Sequence, residues 1–208
     1  MNSLHLSPGQ LAELENIYAG LEEEYQRVAG VLGFSCTGCP DNCCDSYFLH
    51  HTYVEWAYLW LGLLALSTSR QEELQARAEE YLRECARATA RGERPQVMCP
   101  LNSNGLCQLY RYRLLVCRTH GVPATIRRPD GQVIRFPGCF RCQELVTRQN
   151  GDTPQVERTL LLGRLARLEN ELLQQKRHLL PRVKMTIAEM VVKGPPMIPV
   201  CCGIEERC

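Results

Sequence analysis

The sequence predicts a mainly α protein in which a helical framework surrounds an irregular, cysteine-rich region with one small β-hairpin. Three observations carry that prediction. Apolar residues recur at helical spacing over four long stretches. Between residues 95 and 150 this periodicity gives way to short segments punctuated by Gly and Pro. Inside that region ATIRRPDGQVIRF sets Pro129-Asp130-Gly131 between two strand-like runs, which is hairpin chemistry.

The elements follow in order. Ser7-Pro8 reads as an N-cap with proline at the first helical position, and Leu11, Leu14, Ile17, Tyr18, Leu21, Tyr25 and Val28 form one apolar stripe. A helix over about 8–32 is expected, ending near Gly30 or Gly33. YVEWAYLWLGLLAL at 53–66 reads as a buried helix, with Trp56, Tyr58 and Trp60 in its core-facing pattern. Ser69-Arg70-Gln71-Glu72 has capping-box spacing and opens a third helix to about Arg91, whose apolar side collects Leu74, Ala78, Tyr81, Leu82 and Cys85. Thr153-Pro154 starts a fourth, long helix, with Leu160, Leu161, Leu165, Leu168, Leu172 and Leu173 as its buried stripe and Pro181 as its stop.

The chain has 208 residues, enough to bury a real core without disulfide staples. One domain over 1–193 is expected, with a Pro/Cys-rich tail at 194–208. The 24 basic residues nearly cancel the 23 acidic ones, and no basic run is interleaved with aromatics, so no nucleic-acid partner is expected. The apolar stretch at 53–66 is too short to span a bilayer comfortably and carries Glu55, which argues against a membrane partner. MNSLHLSPGQLAELENIY lacks a secretory pattern, making a cytoplasmic location the default. A Gly-rich phosphate loop, a nucleophile elbow and HExxH are all missing.

Thirteen cysteines then demand an account. In a reducing compartment they read as metal ligands or redox groups rather than structural disulfides. FSCTGCPDNCC gives Cys36-x2-Cys39-x3-Cys43 on a loop rich in turn-forming residues, Gly38, Pro40, Asp41 and Asn42. The neighbouring Cys43 and Cys44 diverge if the backbone is extended. Either one ligates while the other packs beside it, or the pair serves two metals lying close together. CPLNSNGLCQLYRYRLLVCRTHGVP contributes Cys99, Cys107 and Cys117, and chelation from two distant segments would make metal binding part of folding. Cys85 reads as a small hydrophobe on a helix face. Cys201, Cys202 and Cys208 read either as a redox-sensitive tail or as extra ligands. His50, His51 and His120 read first as packing or capping groups and second as ligands or supporting donors. Arg118 reads either as a donor to sulfur or as a surface arginine.

These segments resemble the family of zinc- or iron-chelating proteins named for its CxxCxxCC motif, also called YkgJ-like. The matching features are FSCTGCPDNCC, Cys99-Pro100, Gly105-Leu106-Cys107-Gln108-Leu109-Tyr110, then Cys117-Arg118 and a later cysteine, over roughly residues 34–142. This chain has three residues, not two, before the double cysteine, and Arg113-Leu114 stands where the family usually has Arg-Pro. The resemblance implies Cys36, Cys39, Cys43, Cys44, Cys99, Cys107 and Cys117 as metal ligands, with Cys139 or Cys142 as the final member. It implies zinc or iron, a 4Fe-4S cluster included, and an all-thiolate set suits both. Nine candidate sulfurs exceed the four that one zinc or one cubane cluster needs, so two sites, or one site with spare thiols, are open. The function expected is cytosolic chelation of zinc or iron by clustered thiolates, with a protein partner for the helices. The alternative is an iron-sulfur redox or protein-modification enzyme or accessory subunit. No acid, base or cofactor motif accompanies the cysteines, which weighs against an enzyme.

Overall fold

The computed structural model describes residues 2–37, 39, 43–148 and 152–198. Its helices are α1 (Pro8–Leu32), α2 (Tyr53–Leu64), α3 (Thr68–Ala90), α4 (Leu115–Thr119), α5 (Phe140–Arg148), α6 (Thr159–Leu172) and α7 (Ile187–Lys193). The strands are short: β1 (Asn2–Ser3), β2 (Asn102–Ser103), β3 (Leu106–Cys107), β4 (Ala124–Arg127), β5 (Val133–Phe136), β6 (Val156–Glu157) and β7 (Met197–Ile198). The mainly α expectation holds. Among the described residues, no helix is long and apolar enough to cross a membrane.

α1 begins and ends where its caps dictate. Ser7 Oγ accepts the Gln10 N–H while the Gln10 side chain accepts the Ser7 N–H, and Gly33 closes the helix in the left-handed region at φ 61°. Leu14, Ile17, Tyr18, Leu21 and Val28 are buried from the predicted stripe. α2 is buried on nearly all sides, and its first turn is capped twice: Thr52 Oγ1 accepts from Glu55 N–H, and Glu169 of α6 accepts the Tyr53 and Val54 N–H groups at 3.0 and 2.9 Å. Trp56 and Trp60 both donate their indole N–H to the Met190 carbonyl, and Trp56 also to that of Gly194, so the polar edges of these core rings are satisfied.

Two helix starts differ from the sequence expectation. The N-cap of α3 is Ser67, not Ser69, and its side chain makes no capping bond. The Ser67 carbonyl already accepts from both Arg70 and Gln71 N–H, so helical hydrogen bonding starts before the box spacing comes into register. The fourth long helix begins at Thr159, not Thr153. Val156 and Arg158 donate their N–H groups to the carbonyls of Pro123 and Thr125, both at 2.9 Å, which draws this segment into a strand parallel to β4. α6 also ends at Leu172, before Pro181, because Gln174 and Gln175 take left-handed φ values of 50° and 61°. Leu160 is 79 % exposed and leaves the predicted stripe, whereas Leu165, Leu168, Leu172 and Leu173 are buried.

The predicted hairpin is β4–β5, extended by β6 to the order β5-β4-β6. β7 pairs antiparallel with β1, and the Leu4 N–H reaches the Pro196 carbonyl at 2.8 Å, so the chain beyond residue 193 is anchored as far as Ile198. Cys201, Cys202 and Cys208, and the turn residues Gly38, Pro40, Asp41 and Asn42, lie outside the described residues.

Two apolar clusters result. The larger is built from α1, α2, α3, α6 and α7, with Cys99, Cys107 and Cys117 packed at its margin. The smaller joins the C-terminal end of α1 to the hairpin: Val28, Ala29, Leu32, Phe34, Val122, Ala124, Cys142 and Val156, with Tyr25 and Cys139 against it.

Candidate metal centre

The first thiol group forms where the cysteine loop meets the segment after α3. Cys43–Asp45 is a single 3-10 turn. The Cys44 carbonyl accepts the Cys99 N–H at 2.9 Å, and the Cys99 carbonyl accepts the Asn102 N–H at 2.9 Å. Asn102 then pairs with Cys107 across β2–β3, whose tight turn uses Asn104 and Gly105 at φ 52° and 84°. Cys44, Cys99 and Cys107 are therefore tied through backbone bonds.

Cys117 joins from α4, and the residue that positions it is Glu55. Leu114, the N-cap of α4, supplies no side-chain bond; Glu55 Oε1 accepts the Leu115 N–H at 2.9 Å from α2 instead. Its other oxygen accepts the Thr52 hydroxyl at 2.8 Å, and His50 Nδ1 lies 3.8 Å from Oε1. Burial alone would push the Glu55 pKa up. The facing His50 ring, with the Leu115 and Thr52 donors, outweighs it and holds the carboxyl below its ordinary range.

Burial pushes up the pKa values of Cys99, Cys107 and Cys117, the last to about 12, and the thiols raise one another. Backbone donors are already aimed at the sulfurs: Leu101 N–H at Cys99, Leu109 N–H at Cys107 and Leu114 N–H at Cys117. The 3-10 turn brings Cys43 and Cys44 within hydrogen-bonding reach of each other, contrary to the divergence an extended backbone would give. Cys43 donates, so its own pKa is raised and that of Cys44 is lowered, helped by Asn102 and the Arg113 charge.

The second group gathers at the smaller core, with Cys142 inside it, Cys139 packed against it, and Cys36 and Cys39 outside it beside Tyr25 and Arg141. Cys36 and Cys39 close a turn through the Cys39 N–H and the Cys36 carbonyl at 3.1 Å. Cys139 sits at the mouth of α5, where its carbonyl accepts the Gln143 N–H at 3.0 Å, and Cys142 follows in the first helical turn, fully buried. Tyr25 lies between the two pairs. Its hydroxyl is 3.9 Å from Cys36 Sγ, and its pKa is raised by burial first and then by Cys36, Cys139 and Cys142. The Arg141 guanidinium meets Cys39 and feels Cys139 and Cys36. Burial raises Cys142 to about 11, with Cys139 and Cys36 adding to it.

Each group has a side-chain donor beside a thiol, Asn102 at Cys44 and Arg141 at Cys39. Thiolate sulfur, free or carrying a metal, accepts such bonds, and zinc and iron both take thiolate ligands. The donor set thus fits zinc or iron. The thiols are grouped but not closed: among the described residues, no three His, Cys, Asp or Glu side chains are drawn together tightly enough to hold a metal ion.

Other candidates fall elsewhere. Cys85 is buried in α3 beside Tyr81, as its helix-face position predicts. His50 is buried by its pairing with Met185 and faces Glu55, His51 is exposed, and His120 packs its ring 5.0 Å from that of Phe48. Arg118 is no surface arginine: it lies over the Tyr18 ring at 4.5 Å and donates to the Arg113 carbonyl at 2.7 Å, with its charge reaching Cys107. Sequence reasoning missed Glu55, Asn102 and Arg141 as supporting groups. A lone carboxylate in an otherwise apolar helix was the one available signal, for Glu55. No family model, curated protein or solved structure matches the chain.

Proposed function

We propose that the protein binds zinc or iron, an iron-sulfur cluster included, through its clustered cysteine thiolates. The observation that carries this reading is the grouping itself. Apart from Cys85 and Cys39, every described cysteine has another thiol as an electrostatic or hydrogen-bonding neighbour, and Cys39 is tied to Cys36 through its backbone N–H and meets Arg141. The likeness of FSCTGCPDNCC and Cys117-Arg118 to the YkgJ-like motif points the same way. Cys44, Cys99, Cys107 and Cys117 would supply ligands from the larger core's edge, and Cys36, Cys39, Cys139 and Cys142 from beside the smaller core. A bound metal would take the place of the thiol protons, which pass to solvent.

Purification without oxygen, followed by assay of zinc, iron and labile sulfide and a visible spectrum, tests the proposal. Brown protein with iron and sulfide supports a cluster, and colourless protein with stoichiometric zinc supports a zinc site. Folded protein free of metal, which takes up neither zinc nor iron when supplied, overturns it. Reversible reduction coupled to turnover of a substrate would favour the redox or protein-modification reading.

A further inference from the structure

Two cysteine pairs have identical spacing, Cys36-x2-Cys39 and Cys139-x2-Cys142: Cys142 is buried in the smaller core with Cys139 packed against it, while Cys36, beside Tyr25, is exposed and Cys39 is half-buried. Each pair is folded so that its two residues share one turn. The first is closed by the Cys39 N–H to the Cys36 carbonyl, and the second occupies the entry and first turn of α5. A CxxC turn brings its two sulfurs near enough to serve one ion. The turns are held against each other through Gly121: its carbonyl accepts the Cys139 N–H at 2.9 Å, and the Tyr25 hydroxyl that touches Cys36 also lies against its Cα. Gly138 makes the approach possible, since a Cβ there would stand 2.5 Å from the Gly121 oxygen.

We infer that Cys36, Cys39, Cys139 and Cys142 form a metal site of their own, a closed four-thiolate site for one divalent, zinc-type ion, separate from the group around Cys44. This rests on the reading that the clustered thiols bind metal. Two CxxC turns supply the four sulfurs a tetrahedral structural ion takes, with no position left for water or substrate. The ligands come from the chain just past α1 and from α5, so the ion would pin the hairpin module onto the end of α1. Of the other four, Cys99, Cys107 and Cys117 pack at the margin of the larger core and Cys44 is bonded to Cys99 through its carbonyl, with Asn102, Arg113 and Arg118 around them. Cys43 stands between the groups, close enough to both Cys36 and Cys117 to feel their charge. The adjacent pair Cys43-Cys44 thus marks the boundary between two sites.

Zinc titration of the metal-free, reduced full chain, with alkylation and mass spectrometry of every cysteine, tests this. Protection is read relative to zinc-free protein. Cys36, Cys39, Cys139 and Cys142 should become protected as one block, with a zinc dependence different from that of Cys44, Cys99, Cys107 and Cys117. In Cys142→Ser the remaining three of the first block should lose protection while the second block keeps it, and Cys117→Ser should do the reverse. Cys39→Ser, in the less buried turn, carries the same expectation as Cys142→Ser if the latter does not fold. Loss of protection at both blocks in every variant would mean one shared centre and overturn the inference, leaving metal binding intact. Protection of the second block alone would also overturn it. Protein in which zinc protects no cysteine and which takes up no iron would overturn both the inference and the metal-binding reading.

Discussion

Replacing Glu55 with Gln keeps the shape of the group that ties α2 to α4 but removes its charge. In the folded protein one oxygen accepts the Leu115 N–H at 2.9 Å and the other accepts the Thr52 hydroxyl at 2.8 Å, with the side chain buried. Gln has one acceptor, so one of these donors would face an amide NH2. Leaving a buried donor unpaired costs about 1–3 kcal/mol, and losing the charge assistance of the remaining bond costs about 1 kcal/mol. The expected loss is therefore about 2–4 kcal/mol, a large share of the ~5–15 kcal/mol typical of a folded domain. Urea unfolding at pH 7 followed by circular dichroism measures it. The pH dependence has a definite sign. The Glu55 pKa is lowered on folding, so its contribution is present above the unfolded carboxyl value of about 4.3 and is lost as pH falls through the lower folded value. The gap between wild type and Glu55→Gln should narrow on acidification through that range. Amide exchange should also accelerate at Leu115, the N–H that Glu55 caps. A loss below about 0.5 kcal/mol at pH 7, or a gap that does not change with acid, would refute the reasoning.

Gly138→Ala should cost roughly 1–3 kcal/mol in thermal unfolding, because the position combines φ +85° with the close Gly121 carbonyl. Gly105→Ala, at φ +84° with open space around it, should cost about 1 kcal/mol, and equal losses in the two variants would show that the carbonyl contact is relieved without cost. Tyr58→Phe removes the hydroxyl that donates to the Arg111 carbonyl at 2.9 Å and should lower stability by about 0.5–1.5 kcal/mol in chemical denaturation. Cys85→Ala should leave the metal content of the purified protein unchanged, since burial, Tyr81, Glu84 and Glu189, and no other thiol, set the surroundings of this one; a drop of one equivalent would make it a ligand.

The helices were legible where periodicity and caps agreed over a long run, as in α1 with Ser7, Pro8 and Gly33. They were misread where a competing partner lay far away in sequence. Nothing near Thr153 announces that Val156 and Arg158 will donate to Pro123 and Thr125, and so the expected helix start moved to Thr159. Leu160 fits a helical stripe on paper and is left outside it because the packed face of α6 is set by α1 and α2. Among the cysteines, Cys85 was separable from the candidate ligands by its helix-face position alone.

By itself the sequence determined a mainly helical framework, one hairpin, and the place of Cys85 on an apolar helix face. These are properties of neighbours along the chain, fixed by backbone preferences, caps and the period of burial. Only the tertiary structure decided how the thiols divide between the edge of a large core and the neighbourhood of a small one, where Cys142 alone is interior. That division depends on the approach of Gly121 and Gly138 and on Tyr25 and Glu55 reaching across from α1 and α2. Spacing fixes which sulfurs share a turn, but packing between distant segments fixes which turns meet.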